Sequence, residues 1–216
     1  ARDITEHLAL LDEVKQQKDH LQHLAHHDPL TNLPNRILFL DRLELAINKA
    51  HRAESQLAVL FVDLDRFKEI NDTLGHAFGD RVLGEVARRF GDSIREGDTL
   101  ARLGGDEFTF ISEMLAEPQH AAMMAQKLIR SLEAPFVIDN HPFFLTASIG
   151  ISLYPQDGNT AQTLLRNADA AMYKAKEEGK NTFQYYTENM TEQAFERMFL
   201  EASLRHALQN RELVVY

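Results

Sequence analysis

Four acidic residues in this sequence sit where they could do chemistry together. Asp63 and Asp65 bracket the end of a near-continuous apolar run at residues 57–64, and Asp106 and Glu107 follow the glycine pair Gly104-Gly105. The apolar run reads as a strand buried on both faces. The glycines read as the tip of a β-hairpin, where positive φ is needed. If the two are neighbours in one sheet, their acids meet at one edge. Crowded carboxylates in a medium of low dielectric repel one another, and a divalent cation keeps them ionised. Mg²⁺ or Mn²⁺ fits, because a hard cation takes oxygen ligands and normally brings phosphates with it. The reaction class this supports is phosphoryl or nucleotidyl transfer. The structural alternative is that Asp65 caps a following helical turn and the hairpin acids are solvated turn residues.

The elements that must position these acids follow from periodicity. Residues 1–27 predict one helix with a stripe of Ile4, Leu8, Leu11, Val14, Leu21 and Leu24, interrupted by Lys18 in the heptad sense. Such a helix packs on its own domain or pairs with a second copy as a signalling helix. Asp28-Pro29 ends it. Helices are expected at 36–53, 78–95, 117–132 and 160–178, the last closed by Gly179. Strands are expected at 57–64, 99–103, 107–112, 136–138 and 143–153. The order implies an α+β sheet with helices against one face. A further helical pattern covers 191–210. His20, His23, His26 and His27 fall on one side of the first helix, either as a transition-metal site or as a polar face.

Bulk properties narrow the classes. The 216 residues are 44% hydrophobic and 26% charged, enough for one principal core. The formal net charge of -10 with dispersed Lys and Arg argues against a nucleic-acid polymer as partner. The absence of Cys excludes disulfides, thiolate metal sites and Cys nucleophiles, and makes the cytoplasm the default compartment. No apolar run approaches the roughly 20 residues needed to cross a bilayer. Ala1 at the start and the apolar Leu213-Val214-Val215-Tyr216 at the end read as cut ends of a longer protein, whose anchor or sensor would lie outside this sequence.

Five ordered motifs add a resemblance. They are Asp28-Pro29-Leu30-Thr31-Asn32-Leu33-Pro34-Asn35-Arg36, Asp63-Leu64-Asp65-Arg66-Phe67-Lys68, Asn71-Asp72 with Gly75-His76 and Gly79-Asp80, Arg102-Leu103-Gly104-Gly105-Asp106-Glu107-Phe108, and Ala168-Asp169 through Met172-Tyr173, Ala175-Lys176 and Gly179-Lys180-Asn181. Over roughly residues 28–187 the chain resembles the GGDEF family of diguanylate cyclases. The resemblance implies a ferredoxin-like, mostly antiparallel sheet flanked by helices, related to the palm of nucleotide polymerases and cyclases. It implies that Asp63 and Asp106 ligate Mg²⁺ (or Mn²⁺) with help from the Leu64 carbonyl. Glu107 would be a further ligand or would help deprotonate a 3′-hydroxyl. Gly104 and Gly105 would let that hydroxyl and the α-phosphate approach the backbone. Asn71 and Asp80 would hold guanine, the amide at the O6/N7 edge and the carboxylate on N1–H and the 2-amino group. Phe67 and Lys68 would lend backbone N–H groups to the terminal phosphates, and Lys176 and Lys180 their charge. The family commonly has Arg at the second lysine, so the planar fork is lost there. Asp65 is expected to be structural.

One hairpin gives one GTP site, whereas cyclic di-GMP needs two symmetric attacks, so a two-fold homodimer is implied. Arg95 and Asp98 match the spacing of the family's inhibitory product site. Leu204-Arg205-His206-Ala207-Leu208 with Glu212-Leu213 resembles the opening of an EAL phosphodiesterase domain. The expected organisation is thus a helix at 1–27 fed by an upstream sensor, a cyclase domain at 28–187, and a linker with the start of an EAL domain at 188–216. The expected activity joins two GTP into cyclic di-GMP and two pyrophosphates. The alternative is a GTP-binding module without turnover that governs a C-terminal phosphodiesterase.

Overall fold

The acids are carried by β1 (Gln56–Leu64), which lies at the centre of a five-stranded sheet. The computed structural model describes residues 23–192 apart from 96, 116 and 140, together with residues 17, 18, 21, 203 and 207. In chain order after β1 come α2 (Phe67–Leu74), α3 (His76–Gly91), β2 (Thr99–Gly104), β3 (Glu107–Leu115), α4 (Gln119–Ser131), β4 (Phe136–Ile138), β5 (His141–Phe143), β6 (Ala147–Tyr154), α5 (Ala161–Glu177) and β7 (Phe183–Tyr185); α1 (Arg36–Arg52) precedes β1. The strand order is β2-β3-β1-β6-β7, antiparallel except for the β6–β7 pair. β4 and β5 form a separate ribbon.

Because β1 is apolar at successive positions, both of its faces need cover. Ala58, Leu60, Val62 and Leu64 join a core with Val82, Val86 and Phe90 of α3 and Ala125 and Leu128 of α4. Leu57, Val59 and Phe61 join the opposite core with Phe39 and Leu43 of α1 and Leu164 and Ala168 of α5. The expectation of helices against one face is therefore corrected to helices on both. The expected strand at 143–153 also divides: His141–Phe143 pairs with β4, and pairing with β1 begins only at Ala147. α2 and β7 were not expected, each being too short to display a period. α3 spans His76–Gly91 rather than 78–95, starting from Gly75 at φ +84°.

Residues 23–26 are helical, and His27 forms a bridge with Pro34. Leu21 and Leu24 are exposed. Most of the expected stripe and of the 191–210 helix lies outside the described residues. Asn35 joins this segment to the domain. Its side-chain oxygen caps α1 at the Ile37 and Leu38 N–H groups, and its amide nitrogen donates to the Ala25 carbonyl at 2.9 Å.

Helix α5 meets the sheet at Gly150 of β6 with no room for a side chain. A Cβ there would lie 1.9 Å from the Ala168 carbonyl oxygen and 2.1 Å from the Met172 nitrogen. Only glycine lets α5, and hence Lys176, sit this close to β1. Gly150→Ala is expected to destabilise the domain by about 3 kcal/mol, since the clash is with backbone. The check is the urea midpoint at unchanged slope.

Candidate active site

The hairpin turn is held from outside itself. Arg102, nearly buried, donates from its guanidinium to the Gly105 carbonyl at 2.7 and 3.0 Å and to both carboxylate oxygens of Asp28 at 2.9 Å. Asp28 in turn accepts from Thr31 N and Oγ1 at 2.9 and 2.6 Å. Burial pushes the Asp28 carboxyl up, but the bonds from Thr31 and Arg102 outweigh it and the net shift is downward. Gly104 (φ +146°) and Gly105 (φ +50°) adopt the positive φ expected of them. Phe108 meets the Phe90 ring edge-on at 5.5 Å between centroids on the α3 side of the sheet, and the alternation of side chains along β3 turns Glu107 to the opposite face.

That face is where Asp63 lies, directly opposite Glu107 in the β1–β3 register. The Leu64 N–H donates to the Asp106 carbonyl at 3.4 Å, tying the turn to the strand end. Lys176 of α5 reaches across to place Nζ 2.7 Å from Asp63 Oδ1. Burial raises the Asp63 carboxyl to about 6; Lys176 opposes the rise, and the charges of Asp106 and Asp65 add to it. Glu107 is raised by burial and by Asp169 and Asp106, against Arg36 and Lys176. Asp169 is raised by burial, against Lys176 and Arg36. Asp63, Asp106, Glu107 and Asp169 thus share a neighbourhood with two cations, Lys176 and Arg36. Among the described residues no hydrogen bond reaches the Asp106 or Glu107 carboxylate.

Asp65 is structural, as expected, though not as a helix cap. It accepts from Thr146 Oγ1 and Ser148 Oγ at 2.7 Å and from Asn181 N at 3.1 Å, joining β1 to β6 and to the turn after α5. Lys180 stands in that turn at φ +65°. It is not among the groups whose charge bears on Asp63 or Glu107. Phe67 and Lys68 open α2, whose N-cap residue Arg66 makes no side-chain cap. The first-turn amides are therefore not taken by a side chain. Asn71 lies within α2 and Asp80 within α3. Asn71 Oδ1 is buried without a hydrogen-bond partner. It lies against Gly79, where a Cβ would come within 1.9 Å of it.

Arg95 and Asp98 stand apart from the acids but share a cavity of roughly 410 Å³ with His120, Met123 and Lys127 of α4. Asp98 Oδ2 is buried there without a partner. Sequence reasoning gave no role to Arg36, Asp169, Gly79 or Lys127. For Asp169 a signal existed, since it precedes Lys176 by seven residues and so shares its helical face. Among the described residues no group of three or more His, Asp or Glu is placed to hold a metal ion, which includes His23, His26 and His27. His23 and His27 stack on one another instead, with ring centroids 3.9 Å apart.

The profile of the family described as diguanylate cyclase, GGDEF domain, matches residues 25–182. The chain belongs to the GGDEF family. It is 49% identical over 193 residues to the bifunctional diguanylate cyclase/cyclic di-GMP phosphodiesterase MucR of Pseudomonas aeruginosa, covering 89% of this chain and 28% of that protein. It is 46% identical to the diguanylate cyclase TpbB of the same organism, over 81% of this chain and 42% of that one. The chain therefore spans less than half the length of these relatives. The solved GGDEF domain of TpbB superposes with a TM-score of 0.75 at 45% identity, covering 77% of this chain and 98% of that one. The coiled coil and GGDEF domain of DgcB from Caulobacter crescentus, solved with c-di-GMP, gives a TM-score of 0.77 at 26% identity, covering 84% and 96%. The GGDEF match stops at residue 182, and the EAL-like segment at 204–213 lies outside the described residues except for Ala207.

The raised Asp63 carboxyl has a measurable consequence. Both states bind its proton below the ordinary value of 3.8, and only the unfolded state has released it between 3.8 and about 6. Its charged form therefore destabilises the metal-free GGDEF domain progressively across that window and fully above it. Asp63→Asn is expected to stabilise the metal-free domain by roughly 2 kcal/mol at pH 7.5. The difference should vanish below about pH 4, read from urea midpoints across the pH range.

Proposed function

We propose that this GGDEF domain condenses two GTP into cyclic di-GMP and two pyrophosphates, each chain supplying half of a two-fold symmetric centre. The observation that carries this reading is the register that sets Asp63 opposite Glu107, with Asp106 adjoining, at one desolvated sheet edge. The names of the TpbB and MucR relatives, and the c-di-GMP in the DgcB structure, support it.

The chemistry of the donor set suits a hard divalent cation, although without one the described carboxylates are not gathered around a common point. Asp63, Asp106, Glu107 and the Leu64 carbonyl offer only oxygen, and the carboxylates outnumber the nearby cations. Bound there, Mg²⁺ or Mn²⁺ would offset charge on the triphosphate and lower the pKa of the attacking hydroxyl. The chain's own residues supply the rest. The orphaned Asn71 side chain and Asp80 meet the guanine edge. Adenine would leave the carboxylate unpaired at a cost of about 1–3 kcal/mol or more, which selects GTP. The first-turn amides at Phe67 and Lys68 receive terminal phosphate oxygens, and Lys176 and Lys180 neutralise them. Glu107 takes the proton of the 3′-hydroxyl as that oxygen bonds to the α-phosphorus of the partner's GTP. The bond from that phosphorus to the β-phosphate oxygen breaks, and pyrophosphate leaves. The same step in the opposite direction closes the ring, so a monomer holds only half of what is needed.

The cavity at Arg95 and Asp98 is read as the product-inhibition site, with the buried Asp98 oxygen accepting from guanine and Arg95 on phosphate. Residues 1–27 and 188–216 are read as links to an upstream sensor and a downstream EAL domain, in keeping with the bifunctional name of MucR. Among the described residues no helix is long and apolar enough to cross a membrane.

Progress curves with GTP and Mg²⁺ test the proposal. The chain is expected to release cyclic di-GMP with a curve that bends as product accumulates. Asp106→Ala should lower the rate at least a hundredfold, and Arg95→Ala should straighten the curve without changing its initial slope. GTP binding without product from a dimeric sample would favour the silent module instead.

A further inference from the structure

The geometry points to Lys176 as an internal cation that occupies the metal's place on Asp63 until a nucleoside triphosphate draws it away. This rests on the reading of Asp63 as a metal ligand and of Lys176 as a phosphate-binding group. Its content is new to that reading: the two assignments exclude each other in the nucleotide-free protein.

Lys176 Nζ lies 2.7 Å from Asp63 Oδ1, within direct ion-pair contact. A divalent cation ligated by the same carboxylate would stand within a few ångströms of the ammonium, and two positive charges at that range repel strongly. One of them must leave. The ammonium is the group free to do so, because it ends a flexible four-carbon stem on the last turn of α5 while Asp63 is fixed in β1.

Where Lys176 can go decides when it goes. Asp65 cannot receive it on favourable terms, because its oxygens are engaged by Thr146, Ser148 and Asn181 N. Glu107 and Asp169 both feel the Lys176 charge, but Arg36 already faces that pair. A triphosphate arriving at the α2 N-terminus offers several charged oxygens at once. Metal and nucleotide then assist one another: the phosphates take the lysine, and the vacated carboxylate takes the metal. By linkage, each raises the affinity of the other by the same factor. The lone metal is held off, so nucleotide-free protein is kept from loading ions that are not bound to substrate.

The test titrates nucleotide-free protein with Mn²⁺ alone, following free Mn²⁺ by electron paramagnetic resonance. Wild type is compared with Lys176→Met, Lys176→Gln, Arg36→Met, and Lys176→Met combined with Asp63→Asn. Both lysine variants are expected to bind Mn²⁺ at least tenfold more tightly than wild type, and the added Asp63→Asn should abolish the gain. Arg36→Met removes a charge from the same cleft without freeing an Asp63 oxygen, and should change the affinity less than threefold. Unfolding curves confirm that each variant is folded, and the polar Gln variant covers the case in which Met does not fold. Lysine variants that bind no more tightly than wild type, at a site still weakened by Asp63→Asn, would overturn the placeholder alone. So would an equal gain from Arg36→Met. Mn²⁺ binding that is no weaker in the combined variant than in Lys176→Met alone would overturn the metal reading beneath it as well.

Discussion

The grip of Arg102 on Asp28 and on the Gly105 carbonyl is the interaction on which the rest of the site depends. The two charged side chains are only 10% and 16% exposed, and each is satisfied on more than one side. Removing one partner from such a pair leaves the other charged and buried, at a cost of about 3–5 kcal/mol. The pair does more than stabilise. A two-glycine turn is conformationally permissive, so its carbonyl direction needs an external reference. Arg102 supplies it, and Asp28 refers that in turn to the residues where the preceding helix ends. The backbone N–H of Arg102 donates to the Pro34 carbonyl, a second link from the hairpin strand, and that of Asn35 donates to the His26 carbonyl, closing the segment between the helix end and α1. The helix end is thus connected by hydrogen bonds to the turn that carries Asp106 and Glu107.

A second polar clamp works from the other side. Asp65 fastens β1 to β6 and to the left-handed turn of Gly179, Lys180 and Asn181. Close packing at Gly150 sets the helix from which Lys176 reaches inward. Between the clamps the acids divide by use. Asp28 and Asp65 have their oxygens filled by donors of the protein and act as structure. Asp63 meets one lysine, and Asp106 and Glu107 meet no hydrogen-bond donor among the described residues. Carboxylates crowded without donors are costly to keep ionised, and such clusters mark candidate functional sites.

Much of this was legible in the residues. The apolar run of β1, the hairpin around Gly104-Gly105 and the helix closed near Gly179 each carry a strong local signal. The acids at their ends could therefore be placed at one sheet edge from periodicity and turn chemistry. What was not legible has a physical reason in each case. The unbroken apolarity of β1 already indicated burial on both faces, yet the element order implied helices on only one. α2 is eight residues long and β7 three, too short for a period to declare itself. The strand expected at 143–153 hides a change of sheet partner that composition does not mark. Gly79 and Gly150 read as ordinary glycines in sequence, because their role lies in what a Cβ would strike, 1.9 Å away in space. The Asp63–Lys176 contact spans more than a hundred residues of chain and belongs to topology alone.

The central claim is that the acids between the two clamps, with Asn71 and Asp80, form one half-site for GTP. A crystal structure of the chain with Mg²⁺ and a non-hydrolysable GTP analogue tests it most directly. The account predicts a metal held by Asp63 and Asp106, guanine on Asn71 and Asp80, terminal phosphates at the start of α2, and Lys176 moved from Asp63 to the phosphates. A triphosphate bound away from the hairpin, or a metal that leaves Asp63 paired with Lys176, would contradict it.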